Sequence, residues 1–217
     1  GSTVPTDAGS YRAVFKVVED SNFKDLSETV DFTISKKPLT VTANPKTITY
    51  GEKPANDGVT YEGFVNGENE EVLTGTLDFA YDYAQYGNVG SYHITPKGLT
   101  SGNYDITFTK GILTVKQKDV TIQDVAVKET KVYDGTANAA ITGNGRLSAN
   151  FDGENLTFHV GTAAYGDKNV GAGKTVAFTG FSLEGPAAGN YVLTGQPGDV
   201  TASITPMSIA LTATVKD

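Results

Sequence analysis

Apolar and polar positions alternate with a period of two through much of the chain, which predicts β-strands rather than helices. Leu39-Thr-Val-Thr-Ala43, Thr47-Ile-Thr-Tyr50, Tyr104-Asp-Ile-Thr-Phe108 and Ile112-Leu-Thr-Val115 carry the pattern. β-Branched and aromatic residues fill these runs, and Gly, Asn and Pro separate them. Leu77, Phe79, Tyr81 and Tyr83 share one face of a further strand, with Asp78, Ala80, Asp82 and Ala84 on the other. One segment departs from the alternation. Asn66-Gly-Glu-Asn-Glu-Glu-Val-Leu73 predicts a short helix, with Asn66 as its cap and Glu68, Glu70 and Glu71 suited to the positive end of the helix dipole. The resulting order over residues 39–118 fits a β-grasp-like, β-rich α+β unit, with an Ig-like sandwich as the alternative. Further on, Phe151-Asp-Gly-Glu-Asn155 runs straight into the strand-like Leu156-Thr-Phe-His-Val160, so a seven-stranded Ig-like β-sandwich is the better expectation there. The expected fold class is mainly β, built as small domains in tandem.

The pattern repeats. Gly9, Gly90 and Gly171 stand 81 residues apart, the first two inside Gly-Ser-Tyr. Asn22-Phe23 returns 81 residues later as Asn103-Tyr104 and 87 residues after that as Asn190-Tyr191. Phe32-Thr-Ile34 returns as Leu113-Thr-Val115, and each such strand leads into a similar exit: Lys37-Pro-Leu-Thr-Val41, Lys118-Asp-Val-Thr-Ile122 and Pro206-Met-Ser-Ile209. Several landmarks at one spacing define a tandem array. The phase of the array divides the chain into 1–37, the closing portion of a preceding β repeat; 38–118, a full repeat; 119–206, a second; and 207–217, the opening strand of a following one. This phase reads as a piece cut from a longer exported protein, with Gly1-Ser2 left by cloning.

Residues 39–117, with Tyr50-Gly-Glu52, Phe64-Val-Asn-Gly67, Asn88-Val-Gly-Ser-Tyr92 and Asn103-Tyr104, resemble MBG domains of the Tyr-Gly-x type. Residues 119–205, with Lys131-Val-Tyr-Asp-Gly135, Lys168-Asn-Val-Gly171 and Gly189-Asn-Tyr191, are similar to the YDG domain. Asp7-Ala-Gly-Ser-Tyr11 onward resembles the tail of a further MBG-type or Ig-like repeat. The resemblance implies large, repetitive bacterial cell-surface proteins of the adhesin type. It brings no catalytic residues with it.

Composition narrows the chemistry. The 217 residues hold 17 Lys plus Arg against 25 Asp plus Glu, a net charge of −8. With no basic run to offset it, this charge argues against nucleic acid. Absence of Cys excludes disulfides, thiol nucleophiles and Cys-based zinc sites. The apolar runs are too short to span a bilayer as helices. His93 and His159 are the two histidines, each on the polar side of its strand and without the context of a catalytic triad or metal helix. The acidic loops 66–71 and 152–155 offer oxygen ligands, yet match no EF-hand or calcium-repeat pattern and read as solvated turns. No metal, cofactor or catalytic residue is expected.

Three groupings remain. Tyr81, Tyr83 and Tyr86 form an aromatic stretch that would stack on a glycan if exposed, although the alternation from Leu77 points Tyr81 and Tyr83 to the core and leaves Tyr86 outside. Lys131 and Asn190 would form an isopeptide crosslink if adjacent strands brought them beside Asp134 or Glu129 as proton shuttle; the plainer reading has Asn190 holding a turn ahead of an aromatic residue, as Asn103 and Asn22 do. Asp7-x-Gly-x-Tyr11 and Asn88-x-Gly-x-Tyr92 have the pattern of a tyrosine corner.

The expected function is a non-enzymatic stalk or spacer of an extracellular, surface-exposed bacterial protein, presenting a distal adhesive region. The alternatives are an adhesive module that itself binds host glycan or surface protein, and an accessory domain of an exported polysaccharide-degrading enzyme. Expected partners are the neighbouring repeats, with no nucleic acid and no membrane insertion. Strand exchange between copies is expected wherever a partial repeat leaves an edge open.

Overall fold

A computed structural model describes residues 4–17, 22, 24–151 and 153–213, and every structural statement concerns these. The chain forms two compact units. The first comprises Gly1–Ile48, Lys53–Gln85 and Gly90–Val115; the second comprises Lys116–Asp217 together with two short segments, Thr49–Glu52 and Tyr86–Val89.

The strands of the first unit are β1 (Gly9–Val17), β2 (Leu26–Ile34), β3 (Lys37–Ala43), β4 (Lys46–Thr49), β5 (Val59–Glu62), β6 (Thr74–Tyr81), β7 (Gly90–Thr100), β8 (Tyr104–Thr109) and β9 (Gly111–Lys116). The last residues of β4 and β9 belong to the second unit. β1 and β2 form a separate antiparallel hairpin, with Phe15, Val17 and Leu26 exposed along it. The other strands make a three-stranded sheet in the order β5-β3-β8 and a four-stranded sheet in the order β4-β9-β7-β6. The alternation in β3 does what it predicts: Leu39, Val41 and Ala43 are buried. Leu39 and Val41 join Tyr104 in a core that Phe64, Leu73 and Ile106 complete.

The segment expected to be a helix is not one. Residues 66–73 contain a single 3-10 turn, Glu70–Val72, capped by Asn69, whose side chain accepts the Glu71 N–H at 3.0 Å. Asn66 and Gly67 both have left-handed backbones, at φ 56° and 76°, which turn the chain and bar a right-handed helix from starting there. Beyond it, Gly75 and Gly98 face each other across a bulge between β6 and β7.

The second unit holds β10 (Lys118–Val120), β11 (Ile122–Val127), β12 (Thr130–Val132), β13 (Asn138–Ala139), β14 (Ile141–Leu147), β15 (Thr157–His159), β16 (Thr162–Tyr165), β17 (Gly171–Thr179), β18 (Ser182–Glu184), β19 (Tyr191–Leu193) and β20 (Val200–Thr205). Its main sheet runs β12-β20-β17-β16-β13, and β10-β19, β11-β14 and β15-β18 are separate pairs. Ile122, Tyr165, Val176, Phe178, Phe181 and Ile204 form its core. The one helical element is a 3-10 turn, Ala188–Asn190. Residues 206–213 make no strand, and Ile209 and Leu211 are 87% and 97% exposed. The protein is thus mainly β throughout the described residues, arranged as small β-rich units, as the alternation predicts.

Candidate functional site

The repeated sequence landmarks converge on one hydrogen-bonded arrangement that occurs twice. In the first unit, the Asn103 side-chain oxygen accepts the Ala8 N–H at 2.9 Å, and its amide nitrogen donates to the Asp7 carboxylate at 2.8 Å. In the second unit, the Asn190 oxygen accepts the Val89 N–H at 2.9 Å and its amide nitrogen donates to the Asn88 side-chain oxygen at 3.0 Å. Donor, acceptor and the Asx residue one position earlier all correspond. Each Asn comes from the sequence repeat that follows, yet it lies in the same compact unit as its partners, so the amide clamps a distant segment within that unit.

Local structure places the clamp. Asn103 and Asn190 immediately precede Tyr104 and Tyr191, the first residues of β8 and β19. Those strands pair in parallel with the strand that opens the same repeat: Lys37 lies opposite Tyr104, and Lys118 opposite Tyr191. The Lys37 N–H also donates to the Asn103 carbonyl at 2.9 Å, and the Gln117 side chain donates to the Gly189 and Tyr191 carbonyls at 3.0 and 3.1 Å. Each opening strand thus starts beside the Asn-aromatic turn of its own repeat.

Asn190 is the buried polar residue among the described residues, at 6% exposure, and its side chain bonds to Val89 and Asn88 in this clamp. Behind each Asn, the following Tyr donates to a glutamate: Tyr104 to Glu68 and Tyr191 to Glu154. Glu154 also accepts the Tyr50 phenol. Tyr50 packs edge-on against Tyr191 at 5.3 Å and Phe151 at 5.9 Å, and Lys118 lies over the Phe151 ring at 5.4 Å. Gly51 makes room for this packing, since a Cβ there would stand 2.3 Å from the Phe151 ring. Burial, then the bond to Glu154, push the Tyr191 phenol well up; the bond to Glu68 raises Tyr104, and burial raises Tyr61. Unfolded tyrosines ionise near pH ~10, so the stability these phenols supply is complete below that pH and is lost as pH rises through the higher folded-state values. We expect the urea midpoint to fall above pH ~10, and the alkaline decline to shrink in Tyr191→Phe; an unchanged decline would separate it from this residue.

The tyrosine corner is present at Tyr11, whose phenol donates to the Asp7 carbonyl at 2.8 Å. Tyr11→Phe is expected to cost about 1 kcal/mol, read from the urea midpoint. Tyr92 packs on Tyr83 at 5.0 Å.

The structure separates the three aromatic candidates. Tyr83 is buried at 4%, and Tyr81 accepts a hydrogen bond from Asn56 at 2.8 Å on the core-facing side of β6. Tyr86 is 51% exposed in a left-handed turn, with its ring 5.1 Å from Phe151. It lines an open depression of about 450 Å³ in the second unit with Asn150, Phe151, Gly153 and Glu154.

The crosslink candidates are also engaged apart. The Lys131 ammonium donates to the Thr136 and Asn138 carbonyls at 3.0 and 2.9 Å and pairs with Asp134 at 2.8 Å. That ammonium, with the Thr136 N–H and hydroxyl, holds the Asp134 carboxyl down at about 2. Asn190 spends its side chain on Asn88 and Val89 instead, and Glu129 accepts the Ser203 N–H through its backbone. The arrangement closes a turn and a clamp rather than aligning amine with amide.

His93 pairs with Asp82 at 2.8 Å and His159 approaches Glu184 at 3.9 Å, all four exposed. The His93 N–H, then the His93 ring, lower the Asp82 pKa. Among the described residues no group of three or more His, Asp or Glu could hold a metal, and no helix is long and apolar enough to cross a membrane. Of the acidic loops, Asp152 lies outside the described residues.

Sequence reasoning placed the Asn-aromatic landmarks at turns but missed that their amides reach back to the preceding repeat. It also missed the two glutamates as phenol acceptors. The signal was available in the joint recurrence of Asn66-Gly-Glu68 with Asn103-Tyr104 and of Asp152-Gly-Glu154 with Asn190-Tyr191.

Comparison with known families agrees with the repeat phase. Residues 39–114 match the model of the MBG domain (YGX type), and residues 116–199 match that of the YDG domain. A search of curated proteins finds no match for the chain.

Proposed function

We propose, from the premise that this chain is an MBG domain of the YGX type followed directly by a YDG domain, that it is a non-enzymatic spacer segment of a repetitive bacterial surface protein. Its work is to space and present an adhesive region carried elsewhere. The observation that carries this reading is the recurring clamp, Asn103 on Asp7 and Ala8, and Asn190 on Asn88 and Val89. Each clamp ties segments distant in sequence into one compact unit, and opening it strands polar groups at a cost of about 1–3 kcal/mol. The extracellular location belongs to the same proposal and rests on the family resemblance.

One observation favours a second reading. The exposed Tyr86 ring beside the Phe151 depression is the kind of surface on which a sugar face stacks, which would make the segment itself adhesive. A glycan and mucin array, probed with the folded chain and with Tyr86→Ala, distinguishes them. The spacer reading expects no specific binding. Specific binding that Tyr86→Ala abolishes would replace it with the adhesive one.

A further inference from the structure

The clamp has a third, empty setting at the far end of the second unit. β1, β7 and β17 begin at Gly9, Gly90 and Gly171, and the residues before them are Asp7-Ala8, Asn88-Val89 and Asn169-Val170. Ala8 and Val89 each donate their N–H to an Asn of the next repeat, whereas Val170 is 49% exposed and no described Asn lies on it. The neighbouring turn corresponds as well. The Tyr50 N–H donates to the Lys116 carbonyl at 2.8 Å, and the Tyr133 N–H donates to the Thr205 carbonyl at 2.8 Å. Tyr50-Gly51 carries the Phe151 and Tyr191 rings, while a Cβ at Gly135 would meet nothing within 4 Å. Val132, Tyr133, Asp134, Gly135 and Met207 line an open depression of about 580 Å³ at this place.

The segment leaving this face completes the correspondence. Matching Thr205 to Lys116 sets Met207 on Lys118 and Lys37, Ile209 on Val120 and Leu39, and Leu211 on Ile122 and Val41. Leu39, Val41, Val120 and Ile122 are between 0% and 4% exposed; Ile209 and Leu211 are almost wholly exposed. Ile209 and Leu211 thus place two large aliphatic side chains in solvent at the spacing of a strand's inner face.

We propose that the face formed by Tyr133-Asp134-Gly135 and Asn169-Val170 is a docking site for one further β repeat. Residues 207–211 form the first strand of that repeat, and an Asn-aromatic turn in it accepts the Val170 N–H. One difference from the other two settings is that Gly173 stands where Tyr11 and Tyr92 stand, so this face carries no tyrosine corner. The inference rests on the correspondence of bonds and burial and is independent of whether the chain also binds glycan.

The test extends the full chain through residue 211 with a second copy of residues 123–206, so that Met207–Leu211 replace Lys118–Ile122 in the added repeat. Amide hydrogen exchange is read at Val170 beside Val89 in the same sample. The expected result is a slowing at Val170 on the order of 100-fold relative to the unextended chain, lost when the added copy's equivalent of Asn190 is changed to Ala. Fast exchange at Val170 with the added repeat folded overturns the proposal. If the added repeat does not fold behind residues 207–211, a second version joins residues 118–206 directly after residue 206. Protection at Val170 there, without folding in the first version, overturns the assignment of 207–211 as the strand; fast exchange overturns the face. Protection at Val170 in the unextended chain that rises with concentration would assign the face to a second copy instead.

Discussion

Asn190→Ala lowers the stability of the second unit by about 2–3 kcal/mol, measured as a shift in urea midpoint. The change removes a side chain of 6% exposure, so its volume is lost from a packed site, and it leaves the Val89 N–H and the Asn88 amide without the partner they have in the folded chain. The penalty comes mostly from stranding polar groups, since the net value of a satisfied hydrogen bond is about 1 kcal/mol while an unsatisfied buried group costs about 1–3. Asn190→Asp is the informative companion: it keeps the oxygen that accepts from Val89 but turns the donor toward Asn88 into a second acceptor. It should fall between wild type and Ala. Equal losses from Ala and Asp would show that the amide donor, rather than the Val89 bond, dominates.

Gly75→Ala has a larger expected effect, at least about 3 kcal/mol on the first unit. Gly75 sits at φ 88°, and a Cβ there would stand 2.2 Å from the Gly98 carbonyl oxygen. Gly98, at φ 93°, would in turn place a Cβ 2.2 Å from the Thr76 carbonyl oxygen. Both obstacles are backbone in the β6–β7 bulge, so relief requires the ladder itself to move. Gly58→Ala separates the two contributions, because Gly58 has φ 77° and nothing within 4 Å of an added Cβ. It should cost only the left-handed conformation, about 1 kcal/mol. Equal losses at Gly58 and Gly75 would mean that the bulge does not bring the strands as close as described.

Much of this architecture was legible because a strand with one buried face must alternate. Leu39, Val41 and Ala43, and Leu77, Phe79 and Tyr81 with Tyr83 beyond, face inward as their spacing predicts. The repeat period was legible from Gly9, Gly90 and Gly171, each of which starts a strand. The helix expected over 66–73 failed on backbone sign: acidic composition and a capping residue resemble a helix start, but Asn66 and Gly67 adopt left-handed angles that composition does not reveal. The clamp was half legible. Asn before an aromatic marks a turn locally, whereas its partners lie 95 residues away for Asn103 and 101 for Asn190, beyond any local pattern. Glu154 was hidden for the same reason, since its two phenols come from Tyr50 and Tyr191. Lys131 and Asn190 show the converse, a pairing plausible by sequence position that the hydrogen bonds spend elsewhere.

The most direct test of the central claim is native-state hydrogen exchange at the Ala8 and Val89 amides, in the full chain and in Asn103→Ala and Asn190→Ala. The clamp predicts that each amide is protected in wild type and that each variant releases its own amide while leaving the other protected. Exchange at Ala8 and Val89 as fast as in an open loop, or protection unchanged when the matching Asn is removed, would contradict it and leave the spacer reading without its support.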